Sequence, residues 1–192
     1  MSADGDDPLA ILSAALAFFG ELVREVTDEQ WEASTPCDDW NVRDIVAHVV
    51  VNEALMTALV RDEDVAWDSD INASVLGANA LATWRGTALA ARDAFSAPGV
   101  LDRTFTHPDG DADGMRLLGA RVSENVVHGW DIAEAIGSDK VIPDDLVEWL
   151  RLYWLPLAAD VIDSDAYAAP VEIGVDTDGA GRLLALLGRS TS

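Results

Sequence analysis

The sequence predicts an all-α protein, a four-helix bundle with short C-terminal helices and at most a minor extended segment. Four stretches keep an apolar period of three to four residues over the length of a bundle helix. Strand-like alternation is scarce, and no internal repeat or linker divides the 192 residues. We therefore expect one domain over residues 1–192, which is long enough to bury a substantial core.

Local signals set the expected ends of the helices. Asp7 caps the first helix with Pro8 in its first turn, and Asn41 caps the second. The third is rich in alanine, and the fourth stops at Gly137. The four long helices are expected at residues 8–26, 42–60, 73–95 and 114–136.

Shorter elements are expected between and after the long helices. Clusters of proline, glycine and small polar residues mark the connections. In chain order, we expect an extended strip at 103–106 inside a loop over 100–113, a fifth helix from Pro143 to about Ile162, an extended piece at 171–175 and a last helix at 182–187.

The chain is strongly acidic, with 35 acidic against 12 basic residues and a formal net charge of −23. Such a surface repels phosphate backbones and anionic lipids, so we expect neither nucleic acid nor a membrane as a partner. The acidic N-terminus lacks the basic start and apolar core of a secretory signal, which predicts a cytoplasmic protein. The single cysteine, Cys37, agrees with a reducing compartment.

One face of the fourth helix carries polar side chains between apolar neighbours. Glu124 and His128 are four residues apart on it, so their side chains can converge. An isolated pair of this kind is more often a surface pair. His48, however, lies on a comparable stripe of the second helix, where a lone histidine would more often be a core residue.

Two histidines on matching stripes of two bundle helices, together with Glu124, make a metal site an alternative to these two interpretations, and the residues alone leave all of them open. Two imidazoles and one carboxylate suit zinc or another divalent transition ion, with nickel, iron and manganese left open. Three protein ligands leave a position free for water or substrate, which is typical of catalytic rather than structural zinc sites.

Two motifs carry a resemblance to a known family. Residues 35–44 read TPCDDWNVRD and are followed by Ala47-His48-Val49, and residues 121–131 read RVSENVVHGWD. Together they resemble the DinB-like superfamily, and within it the branch of the N-terminal domain of mycothiol-dependent maleylpyruvate isomerase. The tail from Val171 to Arg189 is similar to a small metal-binding subgroup of that branch.

The resemblance implies a DinB-like four-helix bundle that holds a divalent ion through His48, Glu124 and His128. It also implies mycothiol as a co-substrate, and hence a metal-dependent thiol transferase or isomerase acting on a small electrophile. A non-catalytic metal-binding or stress-response module and a metal-dependent hydrolase stay open as alternatives, as does a homodimer. No residue is assigned as catalytic.

Other residues near these motifs have less specific interpretations. Arg121 and Asp131 share the helix face of the ligands and are candidates to contact them, because a metal-bound histidine usually donates its other N–H. Trp40 is interpreted as a residue of the core or of the pocket wall, and Asn52 as a candidate to contact the ligands or the substrate. Cys37 is interpreted as a small apolar residue beneath its loop, and His107 as a solvated loop residue.

Overall fold

The chain is mostly helical, with one small two-stranded sheet. The computed structural model describes residues 7–37, 40–65, 67, 72–108, 110–157 and 169–190. Its helices are α1 Pro8–Glu25, α2 Val42–Val60, α3 Ala80–Phe95, α4 Gly114–Ile136, α5 Asp144–Trp154 and α6 Gly179–Leu186, and its strands are β1 Thr104–His107 and β2 Gly110–Asp113. Short 3₁₀ turns lie at Gln30–Glu32, Ala73–Leu76, Val100–Asp102 and Leu155–Leu157.

Polar caps explain where most of these helices begin. A side-chain oxygen before the first turn accepts a backbone N–H that would otherwise lack a partner. The capping residues are Asp7, Asn41, Asn79, Asp113 and Asp178. At Asn41 the arrangement is reciprocal, because the carboxylate of Asp44 accepts the backbone N–H of Asn41 in return.

The four long helices pack on one another in pairs. Helix α1 lies against α4 and α3, while α2 lies against α3 and α4. Helix α5 contacts α1 and α4, and α6 packs on α5. The buried apolar side chains of these helices form one cluster that also includes Leu183, Leu184 and Leu187 of the C-terminal segment. The pairing that matters for the site is α2 with α4.

The third helix differs from its prediction. It begins at Ala80 and not at residue 73, because residues 73–76 form a separate 3₁₀ turn. Gly77 ends that turn with φ 59°, a left-handed conformation that glycine adopts without strain, and Asn79 then caps α3. The prediction started the helix too early because it gave more weight to the alanine-rich composition than to the turn residue Gly77 and the cap Asn79.

The shorter elements were also only partly predicted. The extended strip is one strand of a hairpin, in which Thr104 pairs with Asp113 and His107 with Gly110. Helix α5 ends at Trp154, and the predicted extension to residue 162 runs beyond the 3₁₀ turn into residues outside the described ranges. Residues 171–175 form no strand, although the backbone N–H of Val171 donates to Ala185 O at 2.9 Å. Helix α6 begins at Gly179, three residues earlier than predicted.

The surface carries pairs of opposite charge despite the acidic excess. Lys140 Nζ lies 2.9 Å from Glu21 Oε2 and 3.4 Å from Glu25 Oε1, which joins the segment after α4 to α1. Within the ranges described above, no helix is long and apolar enough to cross a bilayer.

Candidate metal centre

Helices α2 and α4 bring His48, Glu124 and His128 together. Glu124 Oε2 lies 2.9 Å from His48 Nε2 and 3.5 Å from His128 Nε2. One ligand atom from each residue lies within 4.8 Å of the other two, a spacing that one ion could bridge. The side chains of His48, Glu124 and His128 are 18%, 16% and 9% exposed, so each is in partial contact with solvent.

The Nε2 atom of His48 lies within hydrogen-bonding distance of both an acceptor and a donor. Glu124 Oε2, an acceptor, and Asn52 Nδ2, a donor, both lie 2.9 Å from it. A ring nitrogen either donates or accepts, so one of these contacts is unmatched whichever tautomer the ring adopts. A cation held between the imidazole and the carboxylate fits this arrangement, since both atoms then act as ligands. Among the described residues, the buried Nδ1 of His48 has no hydrogen-bond partner.

The carboxylate of Glu124 is in the charged form that a metal ligand needs. Burial raises the pKa of Glu124, but the hydrogen bond with His48 and the nearby charges of His48, His128 and Arg121 outweigh that effect. The pKa of Glu124 therefore lies far below the usual range for glutamate.

The other ring nitrogen of His128 is held by a buried ion pair. His128 Nδ1 lies 3.0 Å from Asp131 Oδ2, one helical turn further along α4. Asp131 is fully buried, and Arg189 donates to it twice, from Nε to Oδ1 and from Nη2 to Oδ2, both at 2.8 Å. Burial raises the pKa of Asp131, but the hydrogen bonds from Arg189 and His128 and their charges leave it below its usual range. Asp131 is thus an anion that fixes which nitrogen of His128 carries the proton.

The loop before α2 lines the same site. The Trp40 ring centroid lies 4.5 Å from that of His48 and 5.8 Å from that of His128. Cys37 is half-buried among apolar neighbours, as expected, but it also lies within 4.8 Å of ligand atoms of His128 and Asp131. This proximity was not predicted from the sequence.

A second group of buried polar residues lies beside the candidate ligands, and of its members only Arg121 was predicted from the sequence. Glu53 of α2 and Asn125 of α4 are fully buried, and Asn125 Nδ2 donates to Glu53 Oε1 at 2.6 Å. Arg121 is also buried, and its Nε and Nη1 have no hydrogen-bond partner within the described part of the chain. Among the described residues, Arg121 makes no hydrogen bond with a candidate ligand. It acts on Glu124 through its positive charge, which lowers the pKa of that carboxyl group.

His107 lies on strand β1. Its ring stacks edge-on against Trp67, with the ring centroids 4.8 Å apart. His107, which was predicted to be a solvated loop residue, is therefore part of the β1–β2 hairpin.

Comparison with known proteins gives a family match and two relatives. The family described as "Mycothiol maleylpyruvate isomerase N-terminal domain" matches residues 12–133, a range that contains both sequence motifs. The chain is also similar to two uncharacterized proteins of Mycobacterium tuberculosis, one from strain CDC 1551 and one from strain H37Rv. Each is 30% identical over 142 residues, which cover 73% of this chain and 73% of the relative. No solved structure matches the chain.

Proposed function

Because this chain belongs to the mycothiol maleylpyruvate isomerase N-terminal domain family, we propose that it binds one divalent metal ion and uses it in thiol chemistry. The reaction is transfer of a low-molecular-weight thiol of the mycothiol type to a small electrophile, or isomerisation of that electrophile when the thiol later leaves. Zinc is the preferred ion, and it binds within a DinB-like four-helix bundle.

The observation that carries this proposal is the convergence of His48 Nε2, Glu124 Oε2 and His128 Nε2 across the α2–α4 contact. Two neutral imidazoles and an ionised carboxylate are a ligand set that zinc accepts, and three protein ligands leave a coordination position for an exogenous group. Nickel, iron and manganese accept the same set, so the ligands alone do not select the ion.

A bound ion of this kind lowers the pKa of a coordinated thiol, so that the nucleophilic thiolate is available at neutral pH. The chain contributes the geometry. Asp131 holds the proton of His128 on Nδ1 and leaves Nε2 with a lone pair directed to the ligand cluster. The Trp40 ring packs on both imidazoles and so helps to hold their orientation.

The test combines elemental analysis with thiol binding. Purified protein is analysed for bound metal, titrated with mycothiol, and then incubated with mycothiol and a panel of small electrophiles. A complex of protein, metal and thiol, with thiol consumed faster than in the metal-free control, supports the proposal. Metal binding without affinity for thiol would contradict it and would favour a non-catalytic metal-binding module or a metal-dependent hydrolase.

A further inference from the structure

Arg189 lies outside the residues that match the family, yet it reaches the candidate centre. Its guanidinium makes a two-pronged contact with Asp131, 58 residues earlier in the chain. Asp131 in turn contacts His128 Nδ1. Arg189 and Asp131 are both buried, so water does not compete for this ion pair.

The C-terminal helix holds Arg189 in position. Leu183, Leu184 and Leu187 anchor α6 in the core. Gly188 then leaves the helix with φ 78°, and the backbone N–H of Arg189 donates to Leu184 O at 2.8 Å. Arg189 Nη1 also contacts Leu187 O at 3.4 Å. The end of the helix therefore directs this side chain at Asp131.

We propose that Arg189 is a positioning residue for the metal centre: the C-terminal segment completes the site by fixing Asp131, which fixes the orientation and tautomer of His128. The inference rests on the proposed function, because it assigns Arg189 a role in the ligand set of that same site. The planar shape of the guanidinium matters as well as its charge, because two of its N–H groups can donate to both carboxylate oxygens of Asp131 at once.

A purely structural role for Arg189 would change the stability of the fold without acting through Asp131. The two roles are separated by zinc affinity, measured by competition with a chelator on folded protein, for Arg189→Gln alone and in an Asp131→Asn background. Arg182→Gln is the matched control, because Arg182 is in the same segment but donates to backbone carbonyls of Thr177 and Val175.

We expect Arg189→Gln to weaken zinc binding about 10-fold, the lower end of the effect of removing a partner of a metal-bound histidine, and Arg182→Gln to leave it unchanged. In the Asp131→Asn background, Arg189→Gln should add no further loss. The inference would be overturned if the zinc affinity of Arg189→Gln lay within about twofold of wild type. It would also be overturned if Arg189→Gln lowered zinc affinity equally in the wild-type and Asp131→Asn backgrounds.

If Arg189→Gln does not fold, Arg189→Lys tests the same point, because lysine keeps the charge and lacks the fork. The zinc affinity of Arg189→Lys should fall between those of the wild type and Asp131→Asn, and equality with the wild type would overturn the role of the two-pronged contact.

A measurement on metal-free protein separates this inference from the proposed function. In ¹⁵N spectra of metal-free protein, His128 should carry its proton on Nδ1 in the wild type and lose that preference in the Arg189 variant. A wild type that binds no metal refutes the proposed function, while these spectra still decide the role of Arg189.

Discussion

Glu53 Oε1 accepts a 2.6 Å hydrogen bond from Asn125 Nδ2, and neither side chain is exposed to solvent. The contact joins α2 to α4 close to the candidate ligands, because Asn125 follows Glu124 directly and Glu53 lies five residues after His48. Glu53 Oε2 has no hydrogen-bond partner among the described residues, so half of this carboxylate is buried without compensation. Burial raises the pKa of Glu53 to about 7, although the charge of Arg121 and the hydrogen bond from Asn125 partly oppose the shift.

This raised pKa predicts that Glu53 makes the free energy of unfolding fall as the pH rises. The reference pKa of the group is 4.5, so between about pH 4.5 and about pH 7 the folded protein binds a proton that the unfolded chain does not. Relative to the wild type, Glu53→Gln should gain stability across that window, by on the order of 3 kcal/mol. Urea denaturation at several pH values measures the difference. Glu148→Gln, which removes an exposed carboxylate, controls for the loss of one charge. A difference between Glu53→Gln and the wild type that does not change with pH would show that Glu53 is ionised throughout.

The candidate ligands predict distinct metal contents for four variants. His48→Ala and His128→Ala each remove one nitrogen ligand and should strip the ion, while Glu124→Gln should lower its occupancy because a neutral amide binds more weakly. His107→Ala should keep full metal content, since His107 lies on β1. Elemental analysis after dialysis measures each. Full occupancy in Glu124→Gln together with an unaffected His48→Ala would exclude the assignment.

Metal affinity should also depend on pH. Protons compete with the ion for Nε2 of His48 and His128, so affinity should fall as the solution becomes acidic. Glu124 should stay ionised over the same range because its pKa lies far below normal. Competition with a chelator at mildly alkaline and mildly acidic pH measures the change. A constant affinity would show that the histidines are not ligands.

The acidic surface predicts stabilisation by salt. With 35 acidic and 12 basic residues, repulsion between like charges outweighs the few surface pairs, which are individually worth little. Moderate sodium chloride should screen this repulsion and raise the melting temperature of the metal-free protein. A melting temperature that stays flat or falls as salt is added would show that another interaction dominates at the surface.

Two glycines in helices should respond in opposite directions to alanine. A Cβ at Gly129, next to His128, would lie 2.7 Å from Phe18 Cε1, so Gly129→Ala should cost about 1–3 kcal/mol of stability through overpacking. A Cβ at Gly86 of α3 would meet nothing within 4 Å, so Gly86→Ala should stabilise by up to about 1 kcal/mol through helix propensity. Urea denaturation of both variants gives the comparison. Equal effects would mean that packing around Gly129 relaxes freely.

Local signals predicted the parts of the fold that depend on neighbours in sequence. The caps Asp7 and Asn41 predicted the first residues of α1 and α2, and the terminator Gly137 predicted the last residue of α4. The resemblance to the isomerase N-terminal domain, inferred from two motifs, is confirmed by the family match. The helical stripes also predicted that His48 would meet Glu124 and His128, whose role as metal ligands stays a prediction.

Contacts between distant segments could not be predicted in the same way. Arg189 meets Asp131 across 58 residues, and Asn125 meets Glu53 across 72. Neither pair has a spacing that a helix or turn would reveal, because the contacts depend on how α6 docks and on how α2 and α4 align. A buried polar residue on an apolar stripe, such as Glu53, is the one signal that could have prompted a search for a partner.

The distance in sequence between Asp131 and Arg189 also affects folding during synthesis. At about 5–20 residues per second, a ribosome needs roughly 3–12 s to add the 58 residues that separate them. Until then, α4 would have to bury Asp131 without its cationic partner, which is costly for a charged carboxylate. The nascent helices are therefore expected to stay loosely packed around Asp131 until Arg189 has been added, and α4 should dock late in folding.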